Sequence, residues 1–600
     1  MLIKVSDYIV KRLITYGTKH IFMVTGGGAM HLNNSFGRAK KIKCIFNHHE
    51  QASAIAAEGY ARITGKLSIV NVTSGPGGLN TLTGVMGQWT DSVPVLYISG
   101  QVKAETTIGS CPNLGLRQLG DQEVDIISIV KPITKFAVSV RNPEDIKRFL
   151  DQAIHFATSG RPGPVWLDIP LDVQGAKVEE NAMPGYNEKQ GIIASNKETN
   201  AQIAKALVLL KGARRPVLIT GHGIRIARAE STLLSLIEKL RIPVLTTFNG
   251  FDLVPSDSPY FIGRIGTLGT RAGNFALQNS DLVLCIGSRN NIRQISYNWK
   301  SFARAAYKII VDIDSAELRK STVKPDLAIN CDAGYFLKRL LKSTAGLPEW
   351  RWWLKWCRER KIRYPVAPAG YKKSRLVNPY YFMQILTSLA KANNVIVAGN
   401  ASACVVLFQS GVVKKNQRIF WNSGCAAMGY DLPAALGACL ANNKKDTICI
   451  AGDGSIQMNI QELQTIVYNK LPIKIFLLNN NGYVSIKQTQ RSFFGLPYVG
   501  CDPGSGVGFP SFVKIAKAYG LKVESIKGHN GMVDKIKRVF RFNGPVLCEV
   551  ILEPKYKFQP RVSSKKLDDG RIISKPLEDM FPFLSRNEFM ANMLIPVLLE

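Results

Sequence analysis

In three stretches of the 600 residues, short apolar runs alternate with segments of helical periodicity. Each run is rich in β-branched residues and leads into a glycine-containing turn, as in "HIFMVTGGG", "RPVLITGHG" and "TICIAGDG". This alternation is typical of parallel sheets, because each buried strand needs a crossover, usually a helix, to reach its neighbour. We therefore predict an α/β protein with three doubly wound parallel-sheet domains.

Polar, turn-rich stretches divide the chain into these three domains. The predicted segments are a first domain at 1–178, a linker near 179–200, a central domain at 195–345, a tryptophan-rich helical connector at 350–364, a third domain at 375–555 and a tail at 556–600. The tail has little periodicity, and we expect it to pack over another surface.

The formal net charge is +33, which raises the question of a nucleic-acid partner. Lysine and arginine are spread through the chain, and no zinc-finger, RRM or helix-turn-helix pattern occurs. Basic clefts also concentrate small anions. We therefore favour an anionic small-molecule substrate over nucleic acid, although retention of an RNA or DNA probe at physiological salt would reverse this choice.

The eleven cysteines are scattered, without a C-x-x-C pair or a His/Cys cluster at zinc spacing. The N-terminal residues lack a signal-peptide pattern, and no segment reaches the ~18 apolar residues that a membrane span needs. We expect free thiols, no membrane partner and a cytoplasmic location.

Two polar motifs end neighbouring strands in the third domain. "TICIAGDG" reads as a strand, "SIQMNIQELQTIVYNK" as a helix with Ile456 and Leu463 on one stripe, and "LPIKIFLLNNNG" as the next strand. A right-handed crossover brings Asp453 and Asn480 to one sheet edge, where such folds bind ligands. Their oxygens suit Mg²⁺ or Ca²⁺, with phosphate, a carbonyl and water as further ligands. Either motif alone would be read as a turn or a loop tip.

The stretch "GDGSIQMNIQELQTIVYNKLPIKIFLLNNNG" resembles the metal–diphosphate motif of thiamine diphosphate (ThDP) enzymes, most closely the acetolactate synthase group. The resemblance spans nearly the whole chain. It implies that the three predicted domains are, in order, the pyrimidine-binding domain, a central Rossmann-like domain and the diphosphate-binding domain. It implies Mg²⁺ bound by Asp453, Asn480 and the Gly482 carbonyl. The further ThDP contacts that it implies in the third domain are Asn400, Gly452, Gly454 and Ser455.

The segment "NHHEQASAIAAEGYARITGK" resembles the family segment that carries the acid facing the cofactor's aminopyrimidine. That acid maps to Glu50, which would drive the imino tautomer and so the carbanion at C2 of the thiazolium. The alternative is a first-turn glutamate that only complements the helix dipole. In this family the acid and the cofactor come from different subunits, which implies a homodimer or homotetramer.

"SGCAAMGYDLPAALGA" matches the family pattern that holds the two cofactor rings in a V. The resemblance makes Met428 the wedge and the Ala426 carbonyl the acceptor for the 4′-amino group, although close relatives have glycine at position 426. "VTGGGAM" and "TSGPGGLN" resemble glycine-rich loops over the reacting centre, with Gly28 at the matching position. Gln122 matches a further active-site residue.

The central domain holds FAD in the acetolactate synthase group, where it does no redox work. Arg289 in "GSRNN" matches a flavin-contacting arginine. A Rossmann-like domain can also keep this layout with another nucleotide or with none.

The resemblance implies decarboxylation of a 2-oxo acid, most simply pyruvate, and transfer of the acyl carbanion to a carbonyl acceptor. Two departures bear on the acceptor: Asp121 replaces the phenylalanine of "AFQE", while Gln122 and Glu123 match, and Thr489 replaces the tryptophan of "QWQ". Loss of two rings and gain of a carboxylate disfavour a small keto acid and favour a nucleotide-linked keto sugar. Asp121 could instead face solvent or pair with Arg117. The alternative functions are a genuine acetolactate synthase, a simple decarboxylase or an acyl-CoA lyase.

Overall fold

Three six-stranded, fully parallel sheets form the frame of the computed structural model, which describes residues 1–187, 197–566 and 569–598. The α/β fold with three parallel-sheet domains is therefore confirmed. In spatial order, the strands of the first sheet are Lys43–Phe46, His20–Met23, Ser68–Val72, Val95–Gln101, Val165–Pro170 and Phe136–Ser139; those of the central sheet are Phe261–Arg264, Val244–Thr246, Pro216–Thr220, Leu282–Ile286, Tyr307–Asp312 and Leu327–Asn330; those of the third sheet are Arg418–Phe420, Val395–Ala398, Thr447–Gly452, Ile473–Asn479, Val546–Ile551 and Lys522–Ile526.

The first and third sheets share one strand order. Numbered along the chain within each sheet, the order is 2-1-3-4-6-5 in both, whereas the central sheet has the order 3-2-1-4-5-6. In each sheet, the chain reverses its direction of winding beside the first strand. Loops at the carboxyl ends of the two strands on either side of that point diverge and leave a crevice. Each of the three domains therefore offers one natural binding crevice.

Helices cover both faces of every sheet. In chain order they are Val5–Tyr16, Met30–Arg38, Glu50–Thr64, Pro76–Leu79, Leu82–Asp91, Ile126–Val130, Ile146–Thr158, Leu171–Gly175, Lys197–Gly212, Gly223–Ile226, Glu230–Leu240, Arg271–Gln278, Ile292–Ile295, Ser315–Arg319, Ala333–Lys342, Arg351–Arg363, Pro379–Leu389, Ser402–Ser410, Asp431–Ala441, Asp453–Ile456, Glu462–Tyr468, Val484–Phe493, Phe512–Ala518, Met532–Arg541 and Arg586–Ala591. Two-stranded antiparallel pairs join Leu2–Lys4 to Lys177–Glu179, Arg561–Val562 to Met580–Phe581 and Ser564–Lys566 to Ile572–Ser574. No helix in the described ranges is both long and apolar enough to cross a membrane. All eleven cysteines are free thiols.

The first and third domains meet through two helices in very close contact, Glu50–Thr64 and Asp431–Ala441. A Cβ atom added at Gly437 would lie 1.8 Å from the backbone oxygen of Ala56, and one at Gly59 would lie 2.2 Å from that of Ala434. Only glycine leaves room for a backbone oxygen at these distances. The small residues of both helices therefore set the distance between the two domains.

We expect Gly437→Ala to lower the free energy of unfolding by about 1–3 kcal/mol. The added methyl would meet the main chain of the other helix, which cannot move aside as a flexible side chain can, so the two helices must separate. Gly37→Ala is the matched control, since Gly37 lies in the helix Met30–Arg38 and a Cβ there meets nothing within 4 Å. That change should raise stability by about 0.4–1 kcal/mol. Chemical unfolding monitored by circular dichroism measures both, and equal midpoints for the two variants would contradict the interpretation.

A buried ion cluster connects all three domains. Arg62 donates to Glu58 at 2.9 Å and to Asp91 at 2.7 Å, and all three side chains are almost wholly buried. Asp91 also accepts a hydrogen bond from Asn249 of the central domain at 3.1 Å, and Glu58 accepts one from Asn422 of the third domain at 3.1 Å. The ion pairs lie within the first domain, and asparagines of the two other domains complete the hydrogen bonding of its buried carboxylates.

Beyond its first residues, the tail packs on the central domain. Leu577 and Phe589 belong to the apolar core of that domain. Glu578 accepts hydrogen bonds from Gln278 and Arg304, both at 2.6 Å, and is 2% exposed. The surface that this part of the tail covers therefore belongs to the chain's own central domain.

Candidate functional site

Asp453 and Asn480 lie side by side at the carboxyl edge of the third sheet. The strand Thr447–Gly452 ends directly before Asp453, and its neighbour Ile473–Asn479 ends directly before Asn480. Asp453 is 2% exposed, and its Oδ2 accepts the backbone N–H groups of Asn480 at 3.0 Å and Gly482 at 3.1 Å. Its Oδ1 accepts the N–H of Gly454 at 2.8 Å. The structure thus brings these motif residues together.

The ionisable carboxylate of Asp453 and the unpaired oxygen of Asn480 suit a bound cation. Burial raises the pKa of Asp453 to about 6, against the lowering effect of the N–H donors of Gly482, Gly454 and Asn480. The Oδ1 atom of Asn480 is buried and has no hydrogen-bond partner among the described residues. An unpaired buried oxygen beside a buried carboxylate fits a hard divalent cation, which would also favour the ionised form of Asp453.

Protein side chains alone do not complete a metal site here. The described residues contain no group of three or more His, Cys, Asp or Glu side chains that could hold an ion. The Gly482 carbonyl accepts the N–H of Val484 at 3.2 Å and keeps a second lone pair. A cation at Asp453 and Asn480 would therefore need ligands from a phosphate and water.

The strand on the other side of the crevice, Val395–Ala398, leads to a helix N-terminus that suits a phosphate. Ser402 begins the helix Ser402–Ser410, whose N-cap Ala401 provides no side-chain hydrogen bond, so its first N–H groups remain free. Ala401 adopts φ 54° and ψ −121°, a conformation that is costly for any residue except glycine. Asn400 donates from Nδ2 to the Ala427 carbonyl at 2.5 Å. This end of the crevice is a ready anion site.

The loop before Met428 has a strained backbone. Ala426 adopts φ 57°, a left-handed conformation that costs a non-glycine residue roughly 1 kcal/mol. Met428 is half-buried, and the N–H of Gly429 donates to Ser455 Oγ at 3.0 Å. Ser455 in turn donates to Asp431 at 2.7 Å. The left-handed conformation explains why glycine suits position 426, and alanine adopts it here.

Two buried polar residues of the third domain, which the sequence analysis missed, bind the chain around the start of the Glu50 helix. Glu462 accepts hydrogen bonds from Asn47 Nδ2 at 2.8 Å and from the N–H of His48 at 2.9 Å. Asn459 donates from Nδ2 to Gln51 and to the Gly429 carbonyl, both at 2.9 Å. The available signal was polar residues on the buried side of the predicted helix in "QMNIQEL".

That helix is also less regular than predicted. A 3₁₀ turn at Gln457–Asn459 separates Asp453–Ile456 from Glu462–Tyr468. Ile456 and Leu463 are buried as expected, and the irregular stretch allows Asn459 to reach its two partners.

Glu50 begins the helix Glu50–Thr64, with the His49 side chain as its N-cap. Its Oε2 accepts from Asn80 Nδ2 at 3.0 Å, within the same domain. Across the described part of the chain, no hydrogen bond joins Glu50 to Asp453 or Met428. The carboxylate is half-buried, so part of its surface is accessible to another domain or subunit.

The glycine-rich loops of the first domain form its crevice. The N–H of Gly28 donates to Thr73 Oγ1 at 3.1 Å, and a Cβ at Gly28 would lie 2.5 Å from Ser74 Oγ. A Cβ at Gly75 would lie 2.2 Å from the Gln122 carbonyl, so the Gln122 loop rests on the second glycine loop. Gln122 itself is exposed, with φ 62°. Gly28 and Gln122 therefore border one crevice.

The two positions expected to contact the acceptor are both exposed. Asp121 forms no ion pair with Arg117 in the described structure, and its neighbour Glu123 is buried against backbone N–H groups, including that of Leu119 at 3.0 Å. The hydroxyl of Thr489 donates to the Ser485 carbonyl at 3.1 Å. Both side chains are thus accessible to a substrate or a second subunit, and the Thr489 oxygen can still accept a hydrogen bond.

A cavity of about 570 Å³ lies at the crevice of the central sheet. Gly223, Gly287 and Arg289 line it, and Arg161 and Arg418 contribute from the two other domains. The N–H of Gly223 donates to the Gly287 carbonyl at 2.8 Å, which holds the two lining loops together, and a Cβ at Gly221 would lie 2.1 Å from that carbonyl. Its size and its arginines suit an anionic nucleotide.

Comparison with known proteins agrees with this geometry. Family models match at residues 3–129 (thiamine pyrophosphate enzyme, N-terminal TPP binding domain), 203–340 (central domain) and 399–550 (C-terminal TPP binding domain). The chain is 33% identical over 575 residues to the acetolactate synthase large subunit of Porphyra purpurea, covering 94% of each chain. It is 31% identical to the large subunit from Lactococcus lactis, covering 94% of this chain and 96% of the relative. It is also 31% identical to the isozyme 1 large subunit of Escherichia coli, covering 93% and 95%. The chain therefore belongs to the thiamine pyrophosphate enzymes, within the group that resembles the large subunit of acetolactate synthase.

Proposed function

We propose that the chain is a ThDP- and Mg²⁺-dependent carboligase that decarboxylates a 2-oxo acid, most simply pyruvate, and joins the remaining acyl unit to a carbonyl acceptor. The observation that carries this proposal is the buried pair of Asp453 and the unpartnered Asn480 oxygen, facing a free helix N-terminus across one crevice. The names of the acetolactate synthase relatives support the choice of pyruvate and of carboligation.

Within this proposal each residue has a defined role. Asp453, Asn480 and the Gly482 carbonyl hold Mg²⁺, while Asn400, Gly452, Gly454 and Ser455 surround the diphosphate. Bound ThDP supplies a nucleophilic carbon, C2 of its thiazolium ring.

The remaining roles concern the cofactor rings and the reacting centre. Met428 supports the two rings, the Ala426 carbonyl accepts from the aminopyrimidine, and Glu50 exchanges a proton with that ring. Gly28 and Gln122 border the reacting centre.

For the acceptor we propose a nucleotide-linked keto sugar. Asp121 and Thr489 present a carboxylate and a hydroxyl where two aromatic rings stand in close relatives, and both are exposed and available. A carboxylate repels the carboxylate of a keto acid, whereas the hydroxyls of a sugar can donate to the Asp121 carboxylate and to the Thr489 oxygen. The second candidate is a genuine acetolactate synthase, which the relatives' names favour; a simple decarboxylase or acyl-CoA lyase is the third.

We further propose FAD in the central cavity. The cavity volume and its arginines, Arg289 among them, support an anionic dinucleotide there, and another nucleotide would use the same contacts.

We propose a homodimer or homotetramer for the assembly. Phe494, Leu496 and Val499, shortly after the metal motif, are 81%, 76% and 71% exposed, and they support an interface at this surface.

A direct competition tests the acceptor. Pyruvate plus 2-oxobutyrate is set against pyruvate plus a nucleotide-linked keto sugar at equal concentration, and products are identified by mass spectrometry. We expect the sugar adduct to dominate, and we expect Asp121→Phe with Thr489→Trp to shift the products toward keto-acid adducts. Formation of acetolactate or acetohydroxybutyrate at a typical turnover of ~10 per second, with the sugar untouched, would reject this acceptor.

A further inference from the structure

The first residues of the tail reach the cofactor crevice. Tyr556 follows the last strand of the third sheet, and its hydroxyl donates to Ser402 Oγ at 2.5 Å. Tyr556 is 8% exposed and Ser402 is 6% exposed, so the bond lies in the interior. The two residues are 154 positions apart in the chain. The contact therefore joins the tail to the helix that borders the anion site.

The Ser402 hydroxyl has a hydrogen to donate but no acceptor for it. Ser402 Oγ accepts from Tyr556, and in the described part of the chain its own hydrogen has no hydrogen-bond acceptor. Ser402 is also the first residue of a nine-residue helix without a side-chain cap. Buried donors are normally paired, so a missing acceptor at an N-terminus indicates an anionic ligand there.

Tyr556 is also close to the proposed metal ligands. Burial raises the pKa of Tyr556, a hydrogen bond from Asn480 opposes this, and the negative charge of Asp453 adds to it. Asn480 Oδ1 is the buried oxygen without a partner. Two unsatisfied polar groups, the Ser402 hydrogen and the Asn480 oxygen, thus lie on either side of one phenol.

We propose that Tyr556 is a positioning residue for the diphosphate of the cofactor. Its hydroxyl holds the Ser402 oxygen so that the Ser402 hydrogen is donated to a phosphate oxygen. The tail thereby becomes part of the cofactor site. This inference rests on the proposed function, since it requires that the crevice binds ThDP.

A purely structural role is the competing explanation. The Tyr556 ring belongs to the apolar core of the third domain and packs edge-on against Phe558, with ring centroids 5.9 Å apart. Under that explanation, loss of the hydroxyl would change stability and leave cofactor affinity unaltered.

Calorimetric titration of the full chain with ThDP in Mg²⁺ separates the two explanations. We expect Tyr556→Phe to raise the Kd for ThDP about 10- to 100-fold, as for loss of a hydrogen bond that supports a charged group. Ser402→Ala should have the same effect. The double variant should bind no more weakly than either single one, because both changes break one chain of hydrogen bonds.

Tyr380→Phe is the matched control. The Tyr380 hydroxyl donates to Gln409 at 2.8 Å and accepts from the N–H of Gln559 at 2.9 Å, so it holds the same part of the tail without contacting Ser402. Its Kd should stay close to that of the wild type. Thermal unfolding without cofactor shows whether each variant is folded.

Two results would overturn the inference. Wild-type affinity in Tyr556→Phe, or equal weakening in Tyr380→Phe, would remove the positioning role and leave the proposed function intact. Failure of the wild type itself to bind ThDP would overturn the proposed function together with this inference.

Discussion

Replacing Asp453 with alanine should abolish the Mg²⁺-dependent retention of ThDP while the fold survives. The buried Asp453 carboxylate is the anionic side chain beside Asn480, and a cation held by amide and carbonyl oxygens alone would lose its main charge partner. Three backbone N–H groups that now point at Asp453 would remain for water to fill. Calorimetry with ThDP, in the presence and absence of Mg²⁺, measures the effect.

Asp446→Ala provides the control for this experiment. Asp446 directly precedes the same strand at its opposite end and pairs with Lys474 at 3.3 Å, far from the crevice. It should leave the Mg²⁺ dependence unchanged, even if stability falls. If Asp453→Ala and the wild type bound ThDP equally well, the assignment of the metal to Asp453 would be wrong.

Replacing Glu50 with glutamine should leave ThDP bound but slow exchange of its C2 proton by roughly 10²–10⁴-fold, the usual contribution of general acid–base catalysis. Glutamine keeps the size and the hydrogen-bonding capacity of the side chain toward Asn80 but cannot take up a proton. Hydrogen–deuterium exchange at C2, followed by NMR on the saturated protein, reports this step without the full reaction.

The alternative role of Glu50, as a first-turn charge that complements the helix dipole, predicts something different. It would lower stability by about 0.3–1 kcal/mol and leave exchange unaltered. Glu198→Gln should show the loss of stability alone, since Glu198 lies in the first turn of Lys197–Gly212 and is exposed. An exchange rate in Glu50→Gln equal to that of the wild type would leave only the dipole role.

Local patterns in the sequence predict the parts of the site that depend on nearby residues. Asp453 and Asn480 end two apolar runs, so the rules for crossover connections suffice to bring them to one edge. The contacts of Ser402 with Tyr556 and of Asn47 with Glu462 join residues 154 and 415 positions apart, and no periodicity signals such pairs.

The hydrophobic pattern of the sequence did not predict the unusual backbone angles of the site loops either. Ala401 and Ala426 adopt left-handed angles that alanine rarely takes, because the surrounding loops hold them there. The resemblance drew attention to position 426, where close relatives have glycine, but nothing in the sequence indicated an unusual backbone conformation at position 401. The break in the helix after Ile456 likewise depends on contacts that Asn459 makes outside its own segment.

The ion cluster of Glu58, Arg62 and Asp91 limits how the molecule can open. A hinge motion that separated the domains would break the hydrogen bonds of Asp91 with Asn249 and of Glu58 with Asn422, and each hydrogen bond lost to a buried charged group costs about 1.5–3 kcal/mol. Movement of a surface loop breaks none of these buried hydrogen bonds. Entry of substrate and release of product should therefore depend on the loop 105–122, with the three domains moving as a single body.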